Sequence, residues 1–223
     1  MTDQEKTAIT NTEAESILKR VRAITDELLT ELDPAIARRA QEIMNFRSSI
    51  TQETARGSVL MSAAFLDDRL KSLLEARLVN NKTIVSQVFE FNGALGTFSS
   101  RINFSYLLGL LPVNARTDLH TIRGIRNIFA HSALPLEFED SEVVKLCNKL
   151  KFHGVNEVTD PGAKFRRSVM ALLTFTLQAT EETSHIEPKD NYEIPDRTEA
   201  YKVVSAIYKE VTGEEYPLKS QHE

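Results

Sequence analysis

Apolar residues recur every three or four positions through most of this chain, and that period restricts the fold more than any other feature. An α-helix repeats about every 3.6 residues and a strand every two, so the pattern predicts helices. Alternation with a period of two is confined to a few residues around 136–138. No internal repeat or low-complexity tract is present. We therefore predict an all-α fold, an irregular multi-helix bundle with a C-terminal helical extension.

Prolines, glycines and capping residues set the predicted ends of the helices. The predicted helices have the approximate bounds 13–32, 34–46, 52–78, 97–111, 117–130, 140–151, 160–182 and 196–213. A buried turn is predicted before the fourth helix, where apolar residues crowd around two glycines (Phe89, Phe91, Gly93, Leu95, Gly96 and Phe98). The segments 62–74, 97–111 and 117–130 are expected to form the core.

A polar connector containing Pro188 and Pro195 precedes the last predicted helix. Asp196 and Glu199 have the spacing of a capping box, in which two side chains bond to each other's backbone, and they predict the start of that helix. We predict two regions, a helical bundle domain over 1–187 and a connector with a C-terminal helix over 188–223. The last helix is expected to be an appendage or an arm that meets a partner.

The formal net charge of −5 limits the partners that this chain can bind. A protein that holds a nucleic-acid duplex usually presents a positive field to the phosphates, and the chain as a whole lacks one. The nearest approach to a helix-turn-helix, at Asp33-Pro34, lacks the tight glycine turn and the spacing of that motif. Sequence-specific DNA binding by this chain alone is therefore not expected.

Membrane, metal and cofactor sites are not indicated by the sequence. No run reaches the roughly 18 apolar residues of a spanning helix, and the polar N-terminus lacks a secretory pattern. The single cysteine, Cys147, cannot form an internal disulfide, which favours a reducing compartment. The histidines lack paired metal-ligand spacings, and no phosphate-binding glycine loop occurs. We expect a cytoplasmic protein with no membrane contact, metal or cofactor.

The segment 117–131 gathers most of the chemically distinctive residues. On a helix, at about 100° per residue, His120, Asn127 and His131 share a narrow face with Arg123 at its edge. We take His120 and Arg123 as candidate binding residues. Two interpretations of His131 remain open: it bonds the last free carbonyls of the helix, or it has a functional role.

Arg126 falls between the apolar stripe of this helix and the side of Arg123, so it is expected to be partly buried. A partly buried guanidinium cannot lose its proton and therefore needs a carboxylate partner. The candidates are Asp67, Asp68 and Glu90. Either Arg126 forms a core ion pair that fixes helix packing, or it contacts a ligand or substrate directly.

Three strings of this chain resemble the mannitol operon repressor family of bacterial proteins. They are FEFNGALGTFSSRINFSYLLGLLP (89–112), DLHTIRGIRNIFAHS (118–132) and SAAFLDDRLKSLL (62–74), and the resemblance spans about 53–150. It implies an all-helical transcriptional regulator, a repressor without its own DNA-reading module. Such a protein would act through protein partners in a regulatory complex.

A second resemblance points to a different class of protein. Arg126, Asn127 and His131 are similar to the arginine, polar residue, three spacers and histidine of HEPN-type helical domains, many of which cleave RNA as dimers. This resemblance implies a metal-independent ribonuclease or toxin with a composite site in a homodimer. His131 would move the 2′-hydroxyl proton, Arg126 or Arg123 would stabilise the phosphorane, and Asn127 would orient the phosphate. A homodimer is expected, and an enzymatic activity is the second of the two hypotheses.

Overall fold

The structure, a computed structural model, describes residues 11–155, 157 and 159–217. Within these residues it contains nine α-helices and no strand, which confirms the predicted all-α fold. The helices are α1 (Asn11–Glu31), α2 (Pro34–Gln52), α3 (Ala55–Arg77), α4 (Lys82–Phe89), α5 (Phe98–Leu107), α6 (Val113–His131), α7 (Ser141–Cys147), α8 (Pro161–Glu182) and α9 (Thr198–Thr212).

Several helix ends differ from those predicted, and one helix was not predicted. α2 runs to Gln52 instead of 46, and the missed helix, α4, covers Lys82–Phe89. α5 ends at Leu107 because the chain then turns through Gly109, whose φ of 72° suits glycine best. Pro112 therefore does not close α5; it is the N-cap of α6, which begins four residues before the predicted start at 117.

Helix α3 lies at the centre of the bundle and packs against α2, α5, α6 and α8. Its Leu66 and Leu70 are fully buried, as are Ile122 of α6 and Leu172 of α8. Removing a side chain of this kind from a well-packed core typically costs about 2–5 kcal/mol. The core therefore contains the three predicted segments and, in addition, α8.

The turn that joins α4 to α5 is only partly as predicted. Phe89 and Leu95 are buried against Leu74, but Phe91 is 87% exposed, so its predicted burial is wrong. The turn is held by backbone bonds, including one from the Leu95 N–H to the Val88 carbonyl at 2.9 Å. These bonds fix the conformation of the turn. In this conformation the Phe91 side chain is exposed and does not join Phe89 and Leu95.

Contacts divide the chain into two compact units, 1–187 and 188–223. In the second unit α9 begins after Arg197, and the Asp196 carboxylate accepts bonds from the N–H and hydroxyl of Thr198 at 2.9 and 2.6 Å. The predicted capping box with Glu199 is therefore not formed. Gly213 ends the helix with a φ of 76°, as predicted. Among the helices described, none has the length and apolar character needed to cross a membrane.

Candidate functional site

The apolar face of α6 fixes the orientation of its polar face. Leu119, Ile122, Ile125 and Phe129 are fully buried in the core, which leaves the opposite side of the helix turned away from it. That side carries a row of polar side chains that spans about 80° of the helix and about 22 Å of its length. We call this row the α6 ridge: Arg116, His120, Arg123, Asn127 and His131.

A side chain of α5 joins two members of the α6 ridge. The Oδ1 atom of Asn103 accepts bonds from Nε and Nη2 of Arg116 at 3.2 and 3.1 Å, and it lies 3.0 Å from Nε2 of His120. Because this oxygen only accepts, the Nε2 of His120 must donate to it. The Arg116 guanidinium also lies over the ring of Tyr106, 5.2 Å from its centre.

Burial lowers the pKa of His120 below its ordinary value, and the nearby charges of Arg116 and Arg123 lower it further. The neutral imidazole is therefore favoured. Since Nε2 carries the proton bonded to Asn103, Nδ1 carries a lone pair. His120 is thus an acceptor on an otherwise donor-rich ridge.

Sequence reasoning did not identify Arg116 or Asn103. Arg116 precedes the predicted start of its helix, and only the true start at Val113 places it one turn before His120. Asn103 contacts these residues from another helix, which helical periodicity within one segment cannot reveal. The available signal was the i, i+4 spacing of the arginine and the histidine.

The direct ion pair predicted for Arg126 is not formed. Asp67 instead pairs with Arg101 of α5 at 2.9 Å, and Asp68 pairs with Arg69, the next residue along α3, also at 2.9 Å. Both carboxylates thus have closer cations. The third candidate, Glu90, is exposed in the turn after α4 and also does not pair with Arg126.

Arg126 therefore acts on Asp67 only through the electrostatic field. Burial raises the pKa of Asp67 above its ordinary value, while Arg101 and, more weakly, Arg126 oppose that shift. The only hydrogen bond of the Arg126 side chain within the described residues runs from Nη1 to Oδ1 of the neighbouring Asn127, at 3.1 Å. Arg126 and Asn127 are thus held together beside the α6 ridge.

His131 lies exposed in the last turn of α6, and its ring makes no hydrogen bond to the described residues. The interpretation that it bonds the last carbonyls of the helix is therefore wrong. Just beyond the helix end, Nη2 of Arg56 of α3 donates to the carbonyls of Ser132 and Leu134 at 3.0 and 2.8 Å. The His131 ring remains accessible.

Three arginines on or beside the α6 ridge lack a carboxylate partner within the part of the chain that the structure describes: Arg116, Arg123 and Arg126. The Nε of Arg123 is buried without a hydrogen-bond partner. Unpaired guanidinium groups favour anionic ligands, because they offer several charged donors at fixed angles. The α6 ridge is therefore a local cationic surface on a chain whose formal net charge is −5.

A second surface lies between α4 and α5, which we call the α4–α5 groove. It encloses about 820 Å³ and is lined mainly by apolar side chains, among them Leu78, Ile84, Val88, Leu95, Phe104 and Leu107. Ile84, Phe104 and Leu107 are exposed despite being large and apolar. Sequence reasoning missed this groove because it missed α4, although Asn81 caps that helix by accepting a bond from the Ile84 N–H at 3.1 Å.

Asn103 connects the two surfaces, because it lines the α4–α5 groove and also bonds to Arg116 and His120 of the α6 ridge. An apolar recess thus borders a cationic row. A ligand with an apolar face and a negatively charged edge would match both.

The described residues form no metal site and contain no reactive thiol. No group of three or more histidine, cysteine, aspartate or glutamate side chains is arranged there to hold a metal ion. Cys147 is buried, and burial raises the pKa of its thiol to about 12, so the reactive thiolate is scarce at neutral pH.

Comparisons with known proteins found a structural likeness but no match in sequence. No model of a protein family matches the chain, and no curated protein matches it in sequence. An X-ray structure of the MtlR–HPr complex from Escherichia coli is similar to it in fold. That likeness covers 62% of this chain and 98% of the chain it matches, with 16% sequence identity and a TM-score of 0.45.

Proposed function

We propose that this protein is a transcriptional regulator, a repressor without its own DNA-reading module, that acts by binding a protein partner through the α4–α5 groove. The observation that carries the proposal is the exposure of Ile84, Phe104 and Leu107 around an apolar recess of about 820 Å³. Large contiguous apolar surfaces on soluble domains usually mark interaction sites. This one lies on two helices, α4 and α5, that the core holds in place.

The chemistry of the α4–α5 groove favours a helical segment as its ligand. Grooves between helices commonly take the apolar face of an amphipathic helix, whose side chains enter at positions i, i+3 or i+4, and i+7. Burying an exposed leucine or isoleucine contributes about 1.5–3 kcal/mol each. Leu107 and Ile84, together with Phe104, would thus supply much of the binding free energy.

The regulatory part of the proposal comes from the sequence. The strings over 62–74, 89–112 and 118–132 resemble the mannitol operon repressor family. The net charge of −5 and the lack of a helix-turn-helix pattern argue against operator recognition by the chain alone. The complex that forms through the α4–α5 groove would therefore regulate transcription by acting on a separate protein that reads DNA.

Complementation in the native host tests the proposed function. A strain without the gene receives the wild-type protein, Leu107→Asp or Leu134→Asp, at matched protein levels, and its transcripts are measured. Leu134 is the control because it is 73% exposed, against 75% for Leu107, and lies outside the groove. We expect the wild type and Leu134→Asp to restore the transcripts altered by the deletion and Leu107→Asp to fail. Equal restoration by both variants would refute the proposal.

A second candidate function, a HEPN-like ribonuclease acting as a dimer, is favoured by a separate observation. Among the residues that the structure describes, Arg123 and Arg126 have no carboxylate partner, and the accessible ring of His131 follows at the end of the same helix. Such groups suit the stabilisation of a phosphorane and the transfer of a 2′-hydroxyl proton.

The ribonuclease candidate is tested with labelled cellular RNA in EDTA, using purified wild-type protein beside His131→Ala. Because His131 is exposed and makes no hydrogen bond to the described residues, the variant should keep its stability. Cleavage that disappears in His131→Ala would establish the nuclease. Absence of cleavage across varied RNAs, or cleavage that the variant retains, would eliminate this role for His131.

A further inference from the structure

Helix α9 carries an apolar stripe that the chain leaves exposed. Val204, Ile207 and Val211 are spaced i, i+3 and i+7 and therefore lie on one side of the helix. They are 47%, 55% and 79% exposed, and no residue of α9 is buried. A helix of 15 residues with such a stripe is marginal in water unless its apolar side finds a partner.

The second unit covers one edge of this stripe by itself. Tyr216, which follows α9, packs edge-on against Tyr208 with ring centres 5.2 Å apart, and it also meets Tyr201 at 6.4 Å. This aromatic cluster shields the tyrosine edge of α9. The other large apolar positions of α9 that remain exposed are Val203, Val204, Ile207 and Val211.

The charges on α9 are distributed unequally about its apolar stripe. At about 100° per residue, Glu199 and Glu210 fall beside Val203, at the edge opposite the tyrosine cluster. The helix therefore presents an apolar side with carboxylates along one of its edges. Glu199 forms an exposed i, i+3 pair with Lys202, a kind of contact that contributes little and exchanges readily.

The α4–α5 groove has the complementary character. It is apolar, its lining includes no carboxylate, and through Asn103 it borders the guanidinium of Arg116. A helix that placed its apolar side in this groove would bring an acidic edge toward a cationic border, as opposite potentials across an interface require.

We propose that the α4–α5 groove of one copy of this protein binds α9 of a second copy. The inference rests on the proposed function, since it names an occupant for the same groove. Val204, Ile207 and Val211 would enter the recess beside Ile84 and Leu107. Under two-fold symmetry the contact forms twice, so each copy supplies one helix and one groove.

Sedimentation velocity over a range of concentrations tests this proposal on the full chain. The variants are Val204→Asp on α9, Leu107→Asp in the groove, and Ala206→Asp as the control. Ala206 lies about 160° from Val204 around the helix, so its variant places the same charge on the other side. The control is strict, because Ala→Asp lowers helix propensity more than Val→Asp does. Circular dichroism checks that every variant keeps the helical content of the wild type.

We expect the wild type and Ala206→Asp to form dimers and each groove or stripe variant to remain monomeric. An equimolar mixture of Val204→Asp and Leu107→Asp should regain a weaker dimer, because one helix and one groove are still intact. A monomeric wild type, or a mixture that stays monomeric, would overturn the proposal. If Leu107→Asp failed in complementation while the wild type was monomeric, the occupant would be another protein and the proposed function would stand.

Discussion

Asp118 is a residue whose importance only the structure reveals. It is buried on α6, and its Oδ2 accepts bonds from the backbone N–H groups of Lys151 and Phe152 at 2.9 and 2.8 Å. The helical pattern of the sequence gives no sign of this role. In the fold it ties the segment after α7 to the helix that carries the candidate site.

The Asp118→Ala variant should therefore lower the free energy of unfolding by about 2–4 kcal/mol, because two backbone donors lose the buried carboxylate that accepts from them. Asp118→Asn should cost less, since its amide oxygen still accepts. Urea denaturation measures both changes. An alanine variant within about 0.5 kcal/mol of the wild type would contradict the assigned role.

The lowered pKa of His120 should make the stability of the protein depend on pH. Its folded-state pKa lies below the ordinary value, so the unfolded chain takes up the proton first as the pH falls. Above about pH 7.5 the ring is neutral in both states and has no effect. As the pH falls through about 6.5 and then through the folded-state pKa, the wild type loses stability.

The matched variant for this effect is His120→Gln, which keeps a donor toward Asn103 but does not titrate. We expect its free energy of unfolding to fall less than that of the wild type between pH 7.5 and 5. Urea titrations at several pH values give the comparison. A variant with the same pH slope as the wild type would show that His120 does not contribute.

At the scale of single residues, the sequence predicted which side of a helix a residue lies on better than it predicted which residue it contacts. Helical periodicity correctly placed Ile122, Ile125 and Phe129 in the core, and Arg126 at its border. It did not show that Asp67 pairs with Arg101 instead of Arg126, because this pairing depends on how α5 packs against α3. Contacts between distant segments are not encoded in the period of either one.

At the scale of the helices and turns, replacing glycine by alanine is expected to have opposite effects on stability at two positions. A Cβ atom on Gly124, in the middle of α6, would meet only the Cδ1 of Leu146 at 3.6 Å, an ordinary contact. A Cβ atom on Gly93, in the turn after α4, would lie 2.3 and 2.5 Å from the carbonyl oxygens of Val88 and Gln87. The first site has room for alanine and the second does not.

We accordingly expect Gly124→Ala to raise the free energy of unfolding by about 0.5–1 kcal/mol, because a helical glycine is replaced by the best helix former. Gly93→Ala should lower it by about 1–3 kcal/mol, since rigid backbone must move. Thermal or urea unfolding of both variants provides the measurement. Loss of stability in Gly124→Ala, or none in Gly93→Ala, would conflict with this packing.

Helices with strong end signals were predicted well, and short ones without them were not. Asp160 and Pro161 located the start of α8, where Oδ1 of Asp160 accepts the Ala163 N–H at 2.5 Å. The eight-residue α4 escaped prediction because so short a helix depends on tertiary packing more than on its own propensity. Because α4 was not predicted, the α4–α5 groove was not predicted either.

At the scale of the whole molecule, an apolar recess and a cationic row meet at Asn103. The α4–α5 groove favours a protein ligand, while the α6 ridge favours an anion, and an amphipathic helix with acidic residues satisfies both. The sequence predicted a partner-binding regulator from a resemblance, but it located only the ridge. The groove depends on two helices whose packing the sequence pattern does not disclose.

Photo-crosslinking in the native host shows whether the α4–α5 groove binds a protein partner. A photoreactive residue replaces Leu107 in one sample and the equally exposed Leu134 in another. We predict a crosslinked product of defined mass at 107 and none at 134, and we predict that Phe104→Asp abolishes that product. Twice the mass of the chain would identify a second copy, and any other mass a different protein. No product at 107, or the same product at both positions, would refute the binding of a partner by this groove.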